Sequence, residues 1–214
     1  MRRWVRVLLG AVVVLSLGGA ATVTWLGLHG GLQGGDTCVA AERDLDGRCV
    51  RLDARPDVAH EDLRPTGGRF EAPAQGLDVP LTSMSAAGGA LDPPSLTEAF
   101  EVRDPDRTRA EGTRPRIVAV HAVRGGRAPG NAFFEPAAHA PAVAVSPGDE
   151  LRVDGDTYLV ESTEVLSKAD AAASPDVWGH RPGGEDRLVV LTCVQRAGST
   201  GPARDNLVIQ AVRA

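Results

Sequence analysis

The chain has 214 residues, a formal net charge of −5 and a pI near 5.5, so it lacks the strongly basic balance typical of nucleic-acid-binding proteins. Its length is sufficient for one globular domain with a single core. The sequence contains no metal-ligand spacing, phosphate-binding loop or dinucleotide fingerprint, and we therefore expect neither a metal nor a cofactor.

An uncharged apolar segment at residues 7–28 is the first element in chain order. It has about the 20 residues that a helix needs to cross the hydrocarbon core of a bilayer. Three arginines precede it, and this charge bias keeps the N-terminus in the cytoplasm. We predict that residues 1–28 form a cytoplasmic stub and a single transmembrane helix in the plasma membrane, with the rest of the chain outside the cytoplasm. A cleaved signal peptide with the small residues Gly19-Ala20-Ala21 near its end is the alternative.

Residues 29–67 are first glycine-rich and then charged, without a regular apolar period, and we interpret them as a linker. Cys38 and Cys49 lie in this linker, and in an oxidising compartment we expect them to pair. The chain-entropy model assigns about 3 kcal/mol of stabilisation to a loop of this size, while two free thiols are the alternative. Cys193 is then the odd cysteine, either a small buried side chain or a nucleophile.

From residue 68 onward, short apolar runs are separated by Pro and Gly, a pattern typical of strands joined by turns. Asp154-Gly155, between two such runs, is the strongest hairpin signal. Helices are expected around residues 95–99 and 131–138. Many short strands with frequent turns predict an all-β barrel or sandwich. The eight candidate strands span residues 69–72, 77–81, 99–102, 116–120, 150–153, 156–161, 188–192 and 207–212.

Three residues with complementary chemistry stand at the ends of apolar runs in this domain. Cys193 ends one run, His121 directly follows another, and Arg204 opens a third. A thiol nucleophile, an imidazole base and a fixed cation are the groups that thiol-based acyl transfer requires.

Each of these candidates has a competing interpretation. A cysteine that ends an apolar strand is, taken alone, more often part of a core than a nucleophile. His139 and His180 are alternatives to His121, but both fall in aperiodic segments where a solvated histidine is usual. Arg196 is an alternative to Arg204, although it falls in a loop rich in Gly and Ser, whereas Arg204 is attached to a strand.

The sequence around these residues resembles that of the sortases, including the order His, Cys, Arg. The run Leu188-Val189-Val190-Leu191-Thr192-Cys193 resembles the sortase signature TLxTC, with Val189 and Val190 where the signature has Thr and Leu. The resemblance covers residues 68–214, is closest to the small actinobacterial sortases of class F or E, and implies a closed eight-stranded β-barrel with short helices. The other segments that carry it are Val120-His121-Ala122-Val123-Arg124-Gly125-Gly126, Ala203-Arg204-Asp205-Asn206-Leu207-Val208, Leu77-Asp78-Val79-Pro80, Leu91-Asp92-Pro93-Pro94, Asn131-Ala132-Phe133-Phe134 and Gly148-Asp149.

The resemblance also implies an activity. Sortases cleave a Thr–Gly bond in a sorting motif such as LPxTG and transfer the acyl group to a cell-wall amine. Cys193 would attack the threonyl carbonyl, His121 would transfer protons, and Arg204 would stabilise the oxyanion or hold the substrate. Thr192 would add a substrate hydrogen bond at the mouth of the site. The expected partners are exported proteins with a C-terminal sorting motif and a peptidoglycan or cell-wall-precursor amine.

Two alternatives from other classes remain at this point. A different cell-wall cysteine acyl transferase could use the same residue types. However, amidase-like cysteine peptidases usually place Cys before His, and the Ser-His-Gly-Cys run of wall-crosslinking transpeptidases is absent from this sequence. The domain could also be a non-catalytic extracytoplasmic β-barrel that docks other wall proteins.

Overall fold

Ten β-strands and two short helices dominate the computed structural model, which describes residues 38, 41–52, 63–85, 91–103, 114–135, 142–179 and 186–214. The strands are β1 (Glu42–Arg43), β2 (Cys49–Val50), β3 (Arg64–Ala72), β4 (Leu77–Ser85), β5 (Ala99–Arg103), β6 (Arg116–Val120), β7 (Glu150–Val153), β8 (Asp156–Ser167), β9 (Arg187–Cys193) and β10 (Asp205–Arg213). The helices are α1 (Lys168–Ala173) and α2 (Pro175–Trp178), and 3₁₀ turns lie at Pro73–Gln75 and Pro129–Phe133.

Strands β3 to β10 close into a barrel in the order β10-β8-β7-β3-β4-β5-β6-β9. The pairs β4–β5 and β6–β9 are parallel, and the other pairs are antiparallel. Each of the eight candidate strands corresponds to one strand of this barrel. The prediction of an all-β fold with a closed eight-stranded barrel and short helices is confirmed.

Strand β9 separates two apolar clusters, because successive side chains of a strand point to opposite faces of the sheet. Leu188 and Val190 belong to the main core inside the barrel, together with residues from the other barrel strands. Val189 and Leu191 belong to a second cluster on the outer face, which α1 and α2 cover. We call these the inner face and the outer face of β9.

The predicted helix at residues 95–99 is wrong. The Ser95 hydroxyl accepts a hydrogen bond from the backbone N–H of Thr97 at 3.1 Å, which makes a local turn. Ala99 then begins β5 and is fully buried beside β4. The second predicted helix, at 131–138, begins within the 3₁₀ turn Pro129–Phe133, and its residues 136–138 lie outside the described residues.

Helices α1 and α2 were not predicted from the sequence. Ser167 caps α1, because its hydroxyl accepts from the backbone N–H of Asp170 at 3.0 Å. The Trp178 indole N–H donates to the carbonyl of Ala171 at 2.8 Å and ties the two helices together. Arg187, the buried first residue of β9, donates to the carbonyls of Asp176 at 3.0 Å and Gly179 at 2.7 Å.

The predicted membrane span lies outside the described residues. Within the ranges that the structure describes, no helix has the length and apolar character needed to cross a membrane. Of the three cysteines, Cys38 and Cys49 are disulfide-bonded and Cys193 is free.

Residues 41–52, which we interpreted as part of a linker, pack against the barrel. Residues Ala40–Ala214 form one compact unit. Val50 is buried in a small apolar cluster with Leu96, Val123 and Ala128, and Leu45 packs against the main core. These residues therefore do not form the flexible tether that we expected. The segment is strongly charged, and its pattern gave no indication that Leu45 and Val50 would pack against the domain.

Asp44 is the polar counterpart of these apolar contacts. One oxygen of its buried carboxylate accepts from the backbone N–H groups of Asp46 at 3.0 Å and Arg48 at 2.8 Å, and the other accepts from that of Arg127 at 2.9 Å. Burial acts to raise the pKa of Asp44, but these three hydrogen bonds outweigh it and lower the pKa below its ordinary value. The carboxylate therefore joins the β1–β2 hairpin to the loop that follows His121.

We expect Asp44→Ala to lower the free energy of unfolding by about 1–3 kcal/mol, because three backbone N–H groups lose their acceptor. Since the native pKa of Asp44 is lowered, its contribution is fully present above the pKa of the unfolded carboxyl and is lost as the pH falls through the native value. Urea unfolding of wild type and variant at pH 7 and at pH 3 measures both effects. Asp46→Ala is the matched control, because it removes a carboxylate that makes an exposed ion pair with Arg127 at 3.1 Å and keeps the backbone N–H of residue 46; it should change stability by less than about 1 kcal/mol. Equal stability of the two variants at pH 7 would contradict the assignment.

Candidate active site

Cys193 and His121 lie side by side at the ends of two adjacent strands. β6 and β9 pair in parallel with Val120 opposite Thr192, so the next residue on each strand is His121 and Cys193 respectively. Neighbouring strands are about 4.8 Å apart. Ile117 and Leu191 belong to the outer cluster, and the alternation of side chains continues that face to His121 and Cys193.

The imidazole of His121 is held by the segment that precedes β5. Nε2 lies 2.5 Å from the carbonyl oxygen of Pro93 and 3.8 Å from a carboxylate oxygen of Asp92. Because a carbonyl oxygen can only accept, Nε2 is the donor in this hydrogen bond. The side chains of His121 and Asp92 are each 13% exposed, so the ring is largely enclosed but still reachable.

The backbone of His121 is fixed by the loop that follows it. The N–H of Gly130 donates to the carbonyl of His121 at 2.6 Å. A Cβ at Gly130 would lie 2.6 Å from that carbonyl oxygen and 2.0 Å from the hydroxyl of Thr192, so only glycine allows this approach. The Asn131 side chain closes the loop by accepting from the N–H groups of Val123 and Ala128 and donating to the carbonyl of Val123.

The thiol of Cys193 is in an apolar setting with two charges close by. Burial raises its pKa above the ordinary value, and this effect exceeds the others. The nearby ammonium group of Lys168 acts to lower the pKa of the thiol, whereas the carboxylate of Asp92 acts to raise it. The thiol is therefore mostly protonated at neutral pH.

Arg204 lies just before β10, and its side chain belongs to the outer face of the barrel. Asn206 pairs with Cys193 on one side and with Leu166 on the other. Continuing the alternation from Val208, which belongs to the outer cluster, places Arg204 on the outer face. Arg204 is exposed to solvent. Arg196, which the sequence offered as the alternative cation of the site, forms an exposed ion pair with Asp205 at 2.8 Å.

Thr192 is not where we expected it. It alternates with Cys193 along β9 and therefore faces inward, where it is buried against Gly130. Its hydroxyl has no hydrogen-bond partner among the described residues. A side chain on the inner face cannot bind a substrate that approaches the thiol, so we do not count Thr192 among the groups open to a substrate.

The sequence singled out Cys193, His121 and Arg204, and the structure places all three on the outer face. Sequence reasoning missed Asp92 and Lys168. Asp92 entered the sequence analysis only as part of the segment Leu91-Asp92-Pro93-Pro94. The position of this acidic residue before two prolines and a strand was the one feature that could have indicated a role for it. Lys168 is the single lysine of the chain, but nothing in the sequence around it indicated that it would lie near Cys193.

The alternative histidines, His139 and His180, lie outside the described residues. No group of His, Cys, Asp or Glu side chains suited to a metal ion occurs in the described ranges.

Comparisons with known proteins return sortases among solved structures. Sortase A of Listeria monocytogenes is 13% identical with a TM-score of 0.48, and the match covers 69% of this chain and 86% of that one. Sortase C2 of pilus island 1 of Group B Streptococcus is 14% identical with a TM-score of 0.48 and a coverage of 69% and 73%. Sortase C-1 of Actinomyces oris is 15% identical with a TM-score of 0.49 and a coverage of 70% and 74%. No family model matches the chain, and no curated protein matches it.

We expect the pH midpoint of Cys193 alkylation by iodoacetamide to lie above that of an ordinary thiol, which is about 8.5. The reason is that burial raises the pKa of this thiol, and iodoacetamide reacts with the thiolate. Mass spectrometry without reductant follows a single adduct, because the other two cysteines are disulfide-bonded. The urea-unfolded chain, still oxidised, is the control and should show the ordinary midpoint. A native midpoint at or below that of the unfolded chain would contradict the raised pKa.

Proposed function

We propose that this chain is a sortase-type cysteine transpeptidase of the class F or E kind. It is anchored in the plasma membrane by residues 1–28, cleaves the Thr–Gly bond of an LPxTG-like sorting motif, and transfers the acyl group to a cell-wall amine. One observation carries this proposal: Cys193 and His121 lie at the ends of adjacent parallel strands on the outer face of a closed barrel.

The environment of the thiol is consistent with attack that is coupled to loss of its proton. Because burial raises the pKa of Cys193, the sulfur does not rest mainly as a thiolate at neutral pH. His121, on the adjacent strand, accepts this proton as the sulfur bonds to the threonyl carbonyl carbon. The tetrahedral intermediate then collapses, the C–N bond breaks, and the glycine amine leaves with the proton from His121.

The second half of the reaction uses the same groups in reverse. The incoming amine gives a proton to His121 and attacks the thioester carbonyl. The C–S bond then breaks as the new amide forms, and the sulfur takes the proton from His121, which restores the thiol. A thioester keeps the acyl group activated for an amine. The Pro93 carbonyl and the Asp92 carboxylate next to Nε2 orient the ring and stabilise the imidazolium that forms in each half-reaction.

Arg204 is the group best placed to meet the substrate rather than the thiol. Its exposure on the outer face leaves the guanidinium available to a ligand. Its planar donors suit a carbonyl oxygen on which negative charge develops. We therefore assign to Arg204 the stabilisation of the oxyanion or the holding of the substrate backbone.

Replacing the nucleophile should abolish turnover. We expect the purified wild-type chain to cleave a fluorogenic LPxTG-type peptide and, with triglycine present, to form the transpeptidation product, whereas Cys193→Ala gives neither. Mass spectrometry of the wild type should also detect the acyl-enzyme on Cys193. Equal turnover of both proteins would eliminate Cys193 as the nucleophile. Peptide binding without any product in the wild type would instead favour a docking module.

The two arginines near the site should respond differently to the same change. We expect Arg204→Lys to lower kcat by about 10- to 100-fold, because a point charge does not reproduce the planar fork of donors. Arg196→Lys is the matched control and should remain close to wild type, because Arg196 makes an exposed ion pair with Asp205. The measurement is steady-state cleavage of the same peptide. The reverse ranking of the two variants would transfer the role to Arg196.

A further inference from the structure

Lys168 occupies a defined position in the ladder that carries the site. β8 and β10 pair with Asp205 opposite Ser167, and the N–H of Lys168 donates to the carbonyl of Arg204 at 3.0 Å, one step further along. On the other edge of β10, Asn206 pairs with Cys193. Lys168 and Cys193 are therefore on either side of the same end of β10. Leu166, two residues before Lys168, packs in the outer cluster and sets the face.

The backbone at Lys168 is held in place by several independent contacts. Ser167 caps the helix that Lys168 begins, and the Ser167 hydroxyl also donates to the carboxylate of Asp170 at 2.6 Å. Ala171 and Val177 are buried in the outer cluster. The buried Arg187 fixes the carbonyls at the end of α2 and also begins β9, the strand that ends in Cys193. The lysine and the cysteine are thus positioned by one connected set of contacts.

From this arrangement we infer that Lys168 is a further catalytic residue, whose ammonium group donates a hydrogen bond to the sulfur of Cys193 and stabilises the thiolate during attack. Both side chains are exposed, so the distinction between them is chemical. An ammonium group is a compact charge with three donors, which suits a single sulfur atom, whereas the planar guanidinium of Arg204 suits a carbonyl oxygen. The two cations thereby have separate tasks.

The protons balance without any contribution from Lys168. It keeps all its protons throughout. As the sulfur bonds to the carbonyl carbon, negative charge passes from the sulfur to the carbonyl oxygen, and the proton of the thiol resides on His121. Among the described residues, the charged groups that act on the sulfur are Lys168, which begins α1, and Asp92, in the segment before β5. His121 follows the adjacent strand β6, and Arg204 lies on the same outer face just before β10.

The test measures the thiol itself, so it does not need a sorting peptide. We expect Lys168→Met to shift the pH profile of Cys193 alkylation upward by about one unit, which is about a tenfold lower rate at pH 7, because the thiolate loses its cation. Lys168→Arg should recover most of the wild-type profile, and Arg204→Met should shift it less than Lys168→Met does. Superimposable profiles of Lys168→Met and wild type would overturn the inference.

A second measurement applies if Lys168→Met does not fold. Lys168 is the single lysine of the chain, so amine reagents modify it and the N-terminus of the folded wild type. Acetylation removes the charge and should slow alkylation of Cys193 at pH 7, whereas reductive dimethylation keeps the charge and should change it less. Equal rates for the two modified proteins would also overturn the inference.

The role of Lys168 in acyl transfer rests on the proposed function, but its effect on the thiol does not. If the peptide assay fails while the alkylation profile shifts, the ion pair stands and the proposed activity is wrong. If wild type turns over the peptide and Lys168→Met shows the same pH–rate profile, the assignment of Lys168 is wrong and the proposed activity stands.

Discussion

The parallel pairing of β6 with β9 is the constraint on which the rest of the site depends. It brings His121 and Cys193 to the same end of two adjacent strands, although 71 residues lie between these positions in the chain. Because the side-chain period of a strand is two, a slip of one residue in β9 would turn Cys193 into the barrel and Thr192 outward. Correct register is therefore a requirement for the chemistry as well as for the core.

Both strands of this pair begin at an arginine, which is half-buried in β6 and fully buried in β9. Arg116 opens β6 and donates to the carboxylate of Glu101 at 2.9 Å, with a further ion pair to Asp154. Arg187 opens β9 and donates to two carbonyls, that of Asp176 in α2 and that of Gly179 directly after it. A buried guanidinium that lost these partners would be very costly, so each arginine opposes a shift of its strand. The charges that fix the register thus lie at the opposite ends of the strands from the reacting groups.

The sequence predicted the strands well and the assembly of the site only in part. The period of two and the intervening turns located all eight barrel strands, and β9 was recognisable from its apolar run and terminal Cys193. The inward position of Thr192 follows from the same period, but the sequence did not say which face of β9 was the interior. Lys168 reaches Cys193 through the pairing of β8 with β10, a long-range register that no local pattern contains. The segment at 95–99 failed as a helix because pairing with β4 overrode its local preference.

The setting of Cys193 balances protection of the thiol against its reactivity. Oxidation, like nucleophilic attack, proceeds through the thiolate, so a raised pKa and an enclosed position slow both. With Cys38 and Cys49 held as a disulfide, the thiol has no intramolecular partner to which it could be lost. Groups close to the thiol must then make it reactive during catalysis. The neighbouring strands place a base, His121, after β6 and a cation, Lys168, after β8. Such an arrangement keeps the sulfur largely protonated at rest and makes its activation depend on groups that act together at one end of the barrel.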